Sequence, residues 1–177
     1  MNVALIGYRG TGKTTVAKRL ADQLGWVVVD TDELIELRAG KSIKQIFDKD
    51  GELRFRDLEA DVIREAVKIP RQVLALGGGA VLREETRQVL TACNVVWLQA
   101  DAQTLAARIS DDPVSRSRRP NLTAAGGIAE IQQLLAQRQS VYEETADYSV
   151  DTTAKSPEQL ADEIVSLLRD RQADEED

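Results

Sequence analysis

The residues best equipped for chemistry lie near the amino terminus, where Gly7 to Thr14 reads GYRGTGKT. Gly7, Gly12, Lys13 and Thr14 stand at the spacing GxxxxGKT, which suits a loop that wraps its backbone amides around the phosphates of a nucleoside triphosphate. Glycine permits close backbone approach, so donors from Gly10, Thr11, Gly12, Lys13, Thr14 and Thr15 are expected around the phosphate oxygens. In this chemistry Lys13 bridges the β and γ phosphates as the transferred group separates, and Thr14 ligates an accompanying Mg2+ ion.

Acidic residues follow at a useful distance. Asp30 and Asp32 sit in the tripeptide DTD after an apolar run. Asp30 is expected to support the metal directly or through water, with a competing role as a helix cap, because Glu33 follows at capping-box spacing. Asp32 has the reach to orient an acceptor alcohol and take its proton; a solvated first-turn aspartate is the plainer alternative. Arg56 stands four residues after Glu52 and three before Glu59. By helical spacing alone that is a surface ion-pair ladder, but a carboxylate-bearing acceptor would need such a planar fork, with Glu59 to orient it. Phe47 and Phe55 read equally as walls for a small ring or as core. Gly77, Gly78 and Gly79 offer more backbone access than a sharp turn requires.

The rest of the composition narrows the chemistry. The chain has 177 residues, 42% of them hydrophobic, and a formal net charge of −7. That length suits one compact domain with a sizeable core, and the acidic balance gives no support for a nucleic-acid surface. With no histidine in the sequence, carboxylates, lysine and arginine are left to act. The single cysteine, Cys93, has an apolar flank and reads as a small buried residue. There is no signal-peptide pattern, and no run approaches the roughly 20 apolar residues of a membrane span. A soluble, cytoplasmic protein is expected.

Elements that alternate between short apolar runs and helical periodicity must position these groups. Strands are expected at 2–6, 26–29, 72–76, 95–98 and 148–150. Helices are expected at 13–24, 32–38, 42–49, 52–68, 83–90, 102–109, 130–142 and 157–168, with a break at Asp50-Gly51. The alternation predicts a three-layer α/β domain with a mainly parallel sheet, whose ligands collect beyond the carboxyl ends of the strands. Residues 111–123, polar and arginine-rich, read as an exposed mobile insertion. The acidic run 172–177 reads as a flexible tail.

Taken in order, GYRGTGKT, DTD at 30–32, FR at 55–56 with Glu59, GGG at 77–79, RRPNL at 118–122 and RxxxY at 138–142 resemble the shikimate kinase family of P-loop kinases. The resemblance spans nearly the whole chain. It implies a P-loop NTPase fold with a five-stranded parallel sheet of order 2-3-1-4-5, helices on both faces and a mobile lid at 110–124. Residues 1–171 would form the single domain, with 31–60 as its acceptor region. It also implies transfer of the γ-phosphoryl of ATP to the 3-hydroxyl of shikimate. Asp32 would meet that hydroxyl, Arg56 and Arg138 would bind shikimate, and Gly78 would add a backbone contact. Arg119 would approach the phosphates after lid closure, and Arg108 would lie near the adenine. ATP and shikimate would be the partners of a monomer with no obligatory protein partner. Arg9 departs from the pattern, standing where the family more often carries an uncharged residue. Enzymes of similar fold that phosphorylate gluconate or nucleoside monophosphates, and a noncatalytic nucleotide-binding module, are the alternatives.

Overall fold

A computed structural model describes residues 1–112 and 127–176, without the side chains of 171–176. The expected lid 110–124, with Arg116, Arg118 and Arg119, lies largely outside the described residues. Five strands, β1 (Val3–Ile6), β2 (Val27–Asp30), β3 (Gln72–Ala75), β4 (Asn94–Gln99) and β5 (Tyr148–Asp151), form one sheet in the order β2-β3-β1-β4-β5. All four pairings are parallel, with Val3 opposite Val73 on one side of β1 and opposite Asn94 on the other. The order 2-3-1-4-5 is therefore observed.

Burial on both faces explains why β1 is apolar at every position. Side chains alternate across a strand, so Val3 and Leu5 join one core cluster with Val16 and Leu20 of α1 (Lys13–Leu24) and Ile164 of α7 (Pro157–Glu176). Ala4 and Ile6 join the opposite cluster with Ile63 of α3 (Ile43–Ala66), Trp97 and Tyr142 of α6 (Gly127–Thr145). Between these helices in sequence lie α2 (Thr31–Ala39), a single 3-10 turn (Ala80–Leu82), α4 (Glu84–Leu90) and α5 (Ala102–Asp111).

The two helices expected at 42–49 and 52–68 are the two arms of α3, separated by the non-helical Gly51 (φ 84°). Ser42 caps the first arm in a complete capping box with Gln45, which satisfies amides that the helix itself leaves open. Phe47 and Phe55 pack with tilted rings, 4.8 Å between centroids, and Phe55 is fully buried with Ile35, Ile43 and Ile46, with Phe47 partly buried against them. They are core, not the walls of a ring pocket. At the other end of the chain α7 continues to Glu176. No helix among the described residues is long and apolar enough to cross a membrane.

Cys93 is buried, as its flank suggested. Burial pushes its thiol from 9.0 up to about 11. Between those values the folded chain holds a proton that the unfolded chain has lost, so this group's contribution to stability falls as pH rises from 9 to 11. Thermal melts of Cys93→Ala across that range should show a shallower alkaline decline than the parent protein, and identical slopes would show that the thiol adds nothing there.

Candidate functional site

The phosphate loop is built by its neighbours as much as by its own sequence. Gly7 adopts φ 136°, and a Cβ there would lie 2.4 Å from the Leu98 carbonyl oxygen at the end of β4. No other residue fits that position without moving the sheet. Lys13 opens α1 and donates from Nζ to the carbonyl oxygens of Gly7 at 2.7 Å and Tyr8 at 2.8 Å. The ammonium thus closes the loop on itself, poised above the space its amides surround. Thr11, buried, hydrogen-bonds the Tyr8 carbonyl through Oγ1 at 2.9 Å, which stiffens the same turn.

Asp30 is the cap of α2 and at the same time a partner of Thr14. Its Oδ1 accepts from the amides of Asp32 at 3.0 Å and Glu33 at 3.3 Å, capping α2, and its Oδ2 accepts from Thr14 Oγ1 at 2.8 Å. The cap is worth about 1 kcal/mol. Its larger consequence is to aim Oδ2 at the loop exit, where Thr14 and Asp30 bring two hard oxygens together. Mg2+ commonly takes one or two protein oxygens and fills its remaining positions with phosphate and water. This pair fits that demand, and no cluster of three acidic, histidine or cysteine ligands occurs among the described residues.

A cleft of about 640 Å³ opens above these groups, lined by Lys13, Thr14, Asp30, Asp32, Gly78 and Arg108 among others. Asp32 is half-buried on its wall. The glycine turn after β3 packs directly on the phosphate loop: a Cβ on Gly78 would come within 3.4 Å of the Arg9 nitrogen and the Gly7 carbonyl oxygen. The Gly78 carbonyl accepts from Arg138 Nη1 at 3.1 Å and from the Tyr142 hydroxyl. Its amide has no protein partner among the described residues.

Arg56 and Arg138 are not among the residues lining the cleft; each meets the glycine turn instead. Arg56 lies under Gly79, where an added Cβ would fall 2.4 Å from Nη2 and 2.7 Å from Nη1. Its Nη1 bonds buried Glu59 at 2.6 Å, and its Nη2 reaches Glu52 at 3.3 Å. With its side chain 9% exposed and that of Glu59 2% exposed, the pair is a buried fork and not the surface ladder that helical spacing alone favours. A buried carboxylate costs several kcal/mol unless it is paired and hydrogen-bonded, so Glu59 fixes Arg56 rather than decorating it.

Arg108 is held more firmly than a nucleotide-facing side chain need be. It donates from Nη1 to Thr152 Oγ1 at 2.9 Å and from Nη2 to the Thr152 carbonyl at 2.7 Å, with a longer approach to the Gly10 carbonyl at 3.5 Å. The buried Thr152 in turn donates to the Gln99 carbonyl at 2.9 Å. This chain ties the exit of β5 to the shoulder of the phosphate loop. Arg119 lies outside the described residues.

Tyr8 and Glu130 were not singled out from sequence. Tyr8 is buried between the guanidinium groups of Arg9 and Arg138, at 6.0 and 5.8 Å from its ring centroid. Burial raises its phenol above the ordinary tyrosine value, opposed by the charges of Arg9 and Arg138 and reinforced by that of Glu130. The signal for Glu130 is its place at a four-residue step on the stripe Glu130, Leu134, Arg138 and Tyr142, where two charges interrupt an otherwise apolar face.

Comparison with known proteins places this geometry among relatives. Residues 9–169 match the family model described as shikimate kinase. A shikimate kinase from Rhodopirellula baltica is 40% identical over 162 residues, covering 91% of this chain and 87% of the relative. Among solved structures, a shikimate kinase from Acinetobacter baumannii in complex with shikimate superposes with a TM-score of 0.90 at 34% identity, covering 96% of this chain and 93% of that one. A shikimate kinase from Aquifex aeolicus gives a TM-score of 0.83 at 31% identity, covering 97% and 98%.

Proposed function

The chain belongs to the shikimate kinase family and transfers the γ-phosphoryl group of ATP to shikimate, and we propose that the residues of the cleft and its glycine turn divide that reaction as follows. The observation that carries this reading is the contact between the two loops: the Gly7–Thr14 loop and the Gly77–Gly79 turn border one cleft. Donor and acceptor held there would meet with little freedom left to lose.

The amides of Gly10 to Thr15 and the amino end of α1 receive the phosphates. Lys13 exchanges its loop carbonyls for the β and γ oxygens and carries charge as the phosphoryl group departs. Thr14 and Asp30 would hold Mg2+, which supplies neutralisation of phosphate charge when bound. Asp32 orients the 3-hydroxyl of shikimate and accepts its proton as the new oxygen–phosphorus bond forms and the bond to the β-phosphate oxygen breaks. The products are ADP and shikimate 3-phosphate. Arg108 stabilises the nucleotide side of the loop, and Arg119, by its sequence motif alone, adds positive charge to the phosphates once the 110–124 lid covers them.

On the acceptor side, Arg56 and Arg138 bind the shikimate carboxylate and ring, and the Gly78 amide adds a donor. Glu59 stays on Arg56, because it is buried. Glu52 reaches Arg56 from a side chain 61% exposed, and the substrate carboxylate takes its place. Gly79→Ala should test this arrangement without backbone strain, since Gly79 has φ −110°. The added methyl displaces the Arg56 fork, and the KM for shikimate should rise about tenfold, the loss of one charged hydrogen bond. An unchanged KM would separate Arg56 from the acceptor.

Residues 1–171 act as one domain with its acceptor region at 31–60, and the protein works as a cytoplasmic monomer without an obligatory partner. Parallel assays of ADP release with shikimate, gluconate and nucleoside monophosphates test the acceptor. Clear preference for shikimate is expected, and preference for either competitor would overturn the reading.

A further inference from the structure

Glu130 is the most deeply buried charge whose work the reaction does not explain. It is 0% exposed, lies in the first turn of α6 and pairs with Arg9 Nη2 at 3.3 Å. A carboxylate so placed is costly unless it is compensated, and the amino end of a helix offsets part of that cost. Its partner belongs to the phosphate loop, two residues past Gly7, and lines the cleft with a side chain 19% exposed. Arg9 Nε is buried without a hydrogen-bond partner among the described residues, and the guanidinium is held by Glu130 at Nη2 and by the Tyr8 ring, 6.0 Å from its centroid.

Four-residue steps carry the same helical stripe from Glu130 to Arg138 and Tyr142. Its first residue holds the phosphate loop through Arg9, and its last two hold the glycine turn through the Gly78 carbonyl. The Tyr8 ring fills the space between Arg9 and Arg138. One rigid helix face therefore grips both loops at the point where they touch.

We propose that Glu130 is a positioning residue: its ion pair with Arg9 sets the alignment of the phosphate loop against the Gly77–Gly79 turn, and through it the fit of the acceptor. The inference rests on the acceptor-site reading above. Glu130→Gln keeps the size of the side chain and removes its charge. Arg9→Met removes the other half of the pair and, at a partly exposed site, is the variant better able to fold.

Each single variant should raise the KM for shikimate about five- to tenfold, as expected when a buried charged contact is broken, while the KM for ATP stays within about twofold. The double variant should fall well short of the product of the two single effects, because both changes break the Arg9–Glu130 contact. The inference is overturned if either single variant leaves the shikimate KM within about twofold, if the ATP KM rises in step, or if the two effects multiply; a lowered melting temperature with unmoved KM values would mark a purely structural contact. Failure of the parent protein to phosphorylate shikimate would instead sink the function on which the inference rests.

Discussion

Asp32→Asn should lower kcat with shikimate by about 10²- to 10⁴-fold, the usual worth of a positioned acid or base, while ATP binding stays within about twofold of the parent. The substitution is close to isosteric, and the α2 amide that bonds Asp30 Oδ1 belongs to the backbone of residue 32, so the cap and the Thr14–Asp30 contact survive it. What disappears is a proton acceptor on the wall of the cleft. Isothermal titration with ATP alongside single-turnover kinetics separates the two quantities. Turnover near the parent rate at saturating substrates would remove Asp32 from the reaction and leave it as a first-turn helix residue.

Arg56→Lys should act on capture of the acceptor. A lysine ammonium can keep one bond to Glu59 but cannot present a planar fork to a second carboxylate. The expected change is a rise of about 10- to 100-fold in the shikimate KM, from the loss of a charge-assisted hydrogen bond, with the KM for ATP little altered. Because Glu59 keeps a cation beside it, the fold should tolerate lysine better than alanine, which would strand a buried carboxylate. Equal kcat/KM values for shikimate in parent and variant would return Arg56 to a purely structural pair.

The donor half of the site was legible because its signals are local. A strand, a glycine pattern and a helix start follow one another within twelve residues of Val3, and each has a period or a spacing that survives without tertiary context. The break at Gly51 was legible for the same reason. The order of the sheet was not: parallel strands are joined by crossovers, and nothing in the composition of β2 says that it pairs with β3 at the edge while β1 sits in the centre. That order came with the family resemblance, and the registers bear it out.

Burial is where sequence spacing misled. Glu52, Arg56 and Glu59 have the same i, i+4 and i, i+3 pattern whether they face water or core, and only the packing of Gly79 onto Arg56 distinguishes the cases. Phe47 and Phe55 looked as suited to a substrate wall as to a core until Ile35, Ile43 and Ile46 were seen around them. Glu130 looked like any polar residue of an amphipathic helix. Its burial depends on where α6 crosses the phosphate loop, which local periodicity does not encode.

If a single cleft joins an ATP-binding loop to a shikimate-binding turn, phosphate is transferred and not merely released to water. Phosphorus NMR of the reaction with ATP, Mg2+ and shikimate tests this most directly. One new phosphomonoester resonance is expected, coupled to the proton on carbon 3 of the ring and equal in amount to the ADP formed. ADP accompanied only by inorganic phosphate, or a phosphomonoester coupled to a different ring position, would contradict it.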